Sequence, residues 1–101
     1  MNLAKQIESL KRHDIVRIDW VDACGSGTWR AMNDFETEGP KLLRSVGLVV
    51  ARNSGALTIT TTTDFTVACI APVLIPLVCI REVRKLGRLS LALPSDCRRR
   101  E

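Results

Sequence analysis

The sequence predicts a mainly β protein: a small, strongly bent barrel of five short strands behind one short N-terminal α-helix. Three observations predict it. Apolar residues make up 46% of the 101 residues, yet aromatics only 4% with no tyrosine. The core therefore rests on Val, Ile and Leu, whose β-branched members favour strands. Apolar and polar residues alternate over several short runs, the period of a half-buried strand. Clusters of Gly, Pro, Asn and Asp separate those runs, as turns do.

The elements follow in order. Leu3, Ile7 and Leu10 recur at helical spacing, which predicts a helix over about 3–12 that lies on a core built elsewhere. In DIVRIDWVD, Val16, Ile18 and Trp20 share one face and Arg17 and Asp19 the other, a half-buried strand. Residues 23–40 carry turn chemistry. Leu42–Ala51 and Ala56–Thr63 then read as a hairpin around Arg52-Asn53-Ser54-Gly55, where Asn and Gly tolerate positive φ. Gly47 marks a bend or bulge in the first of these strands. Thr66–Leu74 and Cys79–Leu86 are the last two strands, with Ile75-Pro76-Leu77 as the corner between them. Five short strands with a bent second strand cannot hide their inner face as a flat sheet. They curl into a small barrel or pack as two orthogonal sheets. An SH3-like or Sm-like barrel is the economical solution, with residues 1–87 as one domain and 88–101 as a charged tail.

Composition excludes several function classes. Cys24, Cys69, Cys79 and Cys97 contain no CxxC, and His13 is the single histidine, so neither a metal site nor a cofactor is expected. The N-terminal NLAKQIESLKRHD is polar rather than signal-like. The expected setting is reducing and cytoplasmic, with buried free thiols. VACIAPVLIPLVCI is apolar, but it falls short of the roughly 18–20 residues of a membrane helix. Its prolines and β-branched residues indicate buried strands, so no membrane partner is expected. Net charge is +4, acidic in the first third and basic toward the end. That asymmetry suits nucleic acid, head-to-tail subunit contact or a solvated surface.

An enzyme is not expected. Cys24 needs a base to form a thiolate, and His13 stands at the other end of the first strand, roughly 25–30 Å away at about 3.3 Å per residue. Gly25-Ser26-Gly27 lacks the spacing and the Lys-Ser/Thr of a phosphate loop and reads as a turn. Trp20 is in phase with the core. Trp29, past the polar loop, is the aromatic available to a partner.

The runs IVRIDWVDACGSGTW, LLRSVGLVV and VLIPLVCIREVRKL resemble a family of small bacteriophage and prophage proteins. Its members carry Trp-x-Asp-(Ser/Ala), an (R/Q)SVG strand and a basic-flanked I-P-x-x-x-I corner, and the likeness covers about residues 14–87. The strand order is also similar to the Sm-like (Hfq-like) barrel. That resemblance implies a homo-oligomer, a ring formed by pairing subunit edges, and RNA or DNA as ligand. The Tyr-Lys-His-Ala run of the best-known bacterial member is missing. Ile75-Pro76-Leu77-Val78-Cys79 stands in its place, without a base-reading side chain. Carried over, Arg52 and Asn53 at the hairpin tip are the nucleic-acid contacts, with Arg44, Arg81, Arg84 and Lys85 on phosphates. Trp29, Leu3, Ile7 and Leu10 are the expected interface. The alternative is a protein-interaction or structural phage factor without nucleic-acid affinity.

Overall fold

In the computed structural model, which describes residues 2–22, 32, 40–64 and 68–90, Asn2 opens helix α1 (Leu3–Glu8). Its Oδ1 accepts from the Lys5 amide at 2.9 Å, satisfying one of the donors a helix start leaves unpaired. The helix stops earlier than its apolar spacing predicts. Ser9 Oγ donates to the Gln6 carbonyl, and His13 adopts φ 76°, turning the chain into the first strand. Ile7 and Leu10 are nonetheless buried, and Leu3 packs against the same core.

Strands β1 (Asp14–Asp22), β2 (Lys41–Arg52) and β3 (Ala56–Thr60) form an antiparallel meander. The alternation holds in β1: Val16 and Ile18 are fully buried, and Trp20 is half-buried with its indole N–H donating to Ser45 Oγ at 3.0 Å. The hairpin turn uses no positive φ at its glycine. Asn53 Oδ1 instead accepts from the amides of Gly55 and Ala56, an Asx-type turn. Gly47 is not a bulge either. A Cβ there would stand 2.8 Å from the Thr60 carbonyl oxygen, so glycine admits the end of β3. The irregularity in β2 falls between Val49 and Ala51.

The expected strand 56–63 breaks at Thr60, whose buried hydroxyl donates to the Ile70 carbonyl at 2.6 Å. Beyond the break, β4 (Thr62–Thr63) and β5 (Cys69–Ile70) make a separate two-stranded ribbon. Ala71, at φ 50°, and Pro72 then end the expected 66–74 strand. β6 (Val73–Pro76) follows, and the corner lies two residues later than predicted, in a 3-10 turn, Leu77–Cys79. The last strand is β7 (Ile80–Arg88). Cys69 and Cys79 are free and half-buried rather than buried.

The five-stranded sheet runs β6-β3-β2-β1-β7. Its two edges, β6 and β7, are consecutive in sequence and joined by the three-residue turn. In a flat sheet they would lie about 19 Å apart at 4.8 Å per strand. A 3-10 turn rises only about 2 Å per residue. The sheet must curl, and Ile18, Leu57, Ile75, Ile80 and Val83 meet in one core inside the curl. It does not close: β6 and β7 are not paired, so what stands of the expected fold is a mainly β protein with a five-stranded antiparallel sheet, curled and open, and one short helix. No helix among the described residues is long and apolar enough to cross a membrane.

Candidate nucleic-acid interface

Cross-strand register decides which cations share a surface. Arg44 lies opposite Asp19, and Asp19 opposite Glu82, on the face of β1 turned away from Val16 and Ile18. There Arg44 grips Asp19 with two bonds, Nε to Oδ1 at 2.7 Å and Nη2 to Oδ2 at 3.0 Å. Arg17 Nη2 meets Glu82 Oε1 at 3.0 Å. The Arg44 hydrogen bonds hold the Asp19 carboxyl below its ordinary pKa, and Asp19 holds Arg44 above its own. Arg44 therefore stays charged, with its charge matched by Asp19 across the two strands. Arg84, opposite Arg17 on the same face, is exposed.

The other predicted contacts lie elsewhere. Arg52, at the end of β2, donates to the Glu8 carbonyl at 3.2 Å, while Asn53 is occupied in the turn. Both line a groove of about 410 Å³ between α1, the hairpin tip and the 3-10 turn, with Leu3, Ile7, Leu77 and Val78. Arg81 donates to the Val78 carbonyl at 2.9 Å. Lys85 pairs with Val16 in register and so sits on the opposite face from Arg84. The six predicted contacts thus do not form one patch; three of them, Arg81, Arg84 and Lys85, belong to β7.

Two residues that the sequence did not single out stand beside Lys85. Asp14 is completely buried, and its Oδ1 meets Arg88 Nη1 at 3.0 Å and Lys85 Nζ at 3.4 Å. Its Oδ2 accepts from the Lys11 amide at 2.8 Å. Burial works against its charge, but the Lys11 amide, Lys85 and Arg88 outweigh burial and lower its pKa. The one available signal was phase, since Asp14 stands two residues before Val16 and on its face.

The expected interface divides. Ile7 and Leu10 are buried in the chain's own core, with Leu3 half-buried beside them, and Leu3 and Ile7 also line the groove. Trp29, Cys24, Gly25–Gly27, Cys97 and the tail from 91 onward lie outside the described residues. His13 and Cys69 line one cavity of about 60 Å³ with Arg12 and Thr63, room for a couple of waters at ~30 Å³ each. Among the described residues, no group of three or more His, Cys, Asp or Glu could hold a metal ion.

The β6 edge has its own chemistry. Leu77 N donates to the Gly55 carbonyl, one step beyond the Ala56–Pro76 pair. By alternation, Val73 and Ile75 direct their backbone toward β3, while Leu74 and Pro76 direct theirs outward. Pro72 stands at the next outward position. Prolines lack the N–H, so Leu74 supplies the only outward donor along that row.

Neither a protein-family model, nor a curated protein, nor a solved structure matches the chain, so its function is read from these residues and their geometry.

Proposed function

We propose that the chain is a non-catalytic binding module of the small-barrel, Sm-like or SH3-like type, a phage or prophage protein whose strand β7 takes the phosphate backbone of RNA or DNA. One observation carries the nucleic-acid reading. Arg81, Arg84, Lys85 and Arg88 are all exposed on a single edge strand, and its one acid, Glu82, is engaged by Arg17. Cations on both faces of one edge, Arg84 on one and Lys85 with Arg88 on the other, give that edge the electrostatic footprint of a polyanion site. The barrel likeness rests on a short helix followed by five sheet strands, the last two joined by a tight turn.

The module works as a homo-oligomer. With β6 nearly stripped of outward donors, subunits meet through side chains rather than strand edges. Exposed Leu74 and Val78 supply apolar surface for that contact, and they equally favour the second reading, a protein-interaction factor without nucleic-acid affinity.

Fluorescence anisotropy with labelled RNA and DNA separates the two. The expected result is binding at low salt whose logarithm falls linearly with the logarithm of salt concentration. No binding at low salt overturns the nucleic-acid reading. Light scattering that returns a monomer at micromolar concentration overturns the oligomer.

A further inference from the structure

We propose that Lys85 and Arg88, held from behind by the buried Asp14 carboxylate, form a preorganised clamp for a single phosphate group. The proposal rests on the reading of β7 as a polyanion-binding strand and names the group that it grips.

The geometry is specific. Both cationic groups lie within 3.4 Å of one oxygen atom, Asp14 Oδ1, close enough for one phosphate to span them. Asp14 is 0% exposed, whereas the side chains of Lys85 and Arg88 are 55% and 54% exposed. The carboxylate therefore lies inside, and its two cations extend into water. An ammonium has three N–H donors and a guanidinium five, so most donors of both groups stay available. Long basic side chains normally lose rotamer freedom when they grip a ligand. Asp14 has already imposed that loss during folding, and two cations against one carboxylate leave the site positive.

The surroundings suit an anion. Lys11, whose amide bonds Asp14, carries an exposed ammonium on the same turn. Glu82 is directed to the opposite face, with Arg17. A phosphate offers several oxygens to an ammonium and a guanidinium at once.

The test uses the full chain and a labelled single-stranded oligonucleotide. Lys85→Gln and Arg88→Gln each leave the other cation on Asp14, and Arg84→Gln removes a cation from the opposite face of the same strand. The clamp predicts that affinity drops roughly tenfold for each of the first two and less than about threefold for the third. Equal losses in all three, or no loss at Lys85 and Arg88, overturn the clamp and leave a diffuse cationic strand.

If a variant does not fold, titration of the unaltered protein with inorganic phosphate decides. Amide NMR shifts confined to residues 11–14 and 85–89 support the clamp, and their absence overturns it. If those shifts occur while the oligonucleotide does not bind at low salt, the nucleic-acid reading fails and the clamp stands, with its phosphate coming from another source.

Discussion

Asp14 shows how much one residue can join. Its carboxylate ties the turn after α1, through the Lys11 amide, to the far end of β7, through Lys85 and Arg88. Because its pKa is lowered on folding, its contribution is complete above the unfolded carboxylate value and is lost as pH falls through the folded one. Chemical denaturation between pH 6 and about pH 2 should show stability level at first and then declining below the ordinary value of 3.8. Asp14→Asn should make that acid limb shallower, with Asp19, also lowered, carrying the remainder. An unchanged limb would show that Asp14 does not carry it. Beyond the phase that puts Asp14 on the face of Val16, none of this was legible in the sequence, because Arg88 lies 74 residues from Asp14 and an aspartate at a strand start reads as a polar terminus. The apolar residues were legible: Val16, Ile18, Leu57 and Ile59 sit at the alternate positions their pattern required, and all are buried.

At the scale of elements, periodicity placed the strands, while side-chain hydrogen bonds and prolines set where they stop. The expected 56–63 strand looked continuous because threonine suits strands. The Thr60 hydroxyl ends it by taking a carbonyl ten residues away, a long-range bond that local propensity does not contain. Prolines 72 and 76 were visible in the sequence as a bend. Their second role, clearing donors from the outward row of β6, required the hydrogen-bond phase. Replacing both with threonine restores two outward N–H groups and should raise self-association, seen as a concentration-dependent increase in mass by sedimentation velocity. A variant no more prone to associate than the parent would remove the prolines from the protection of that edge.

For the whole molecule, the three-residue turn between β6 and β7 brings the ends of the sheet together, so the core draws on every strand of the larger sheet. Leu57 on β3, between β6 and β2, is fully buried in that core. Leu57→Ala should lower stability by about 2–5 kcal/mol. Unfolding followed by circular dichroism and by tryptophan fluorescence should still coincide; separated transitions would mean that the two sides of the sheet unfold independently. The sequence foresaw the curl and the tight corner between the last two strands; it did not contain the strand order that leaves those two, β6 and β7, as the unpaired edges. Strand β2 carries a last consequence. It pairs with β1 up to Leu48 and with β3 from Leu48 onward, so its residue count sets two registers at once. Losing one codon between Leu43 and Leu48 would turn part of the strand inside out, whereas the exposed 53–55 turn lies beyond both registers. A one-residue deletion within β2 therefore upsets the pairing with two neighbours at once, whereas one at the hairpin tip upsets only the turn that Asn53 holds.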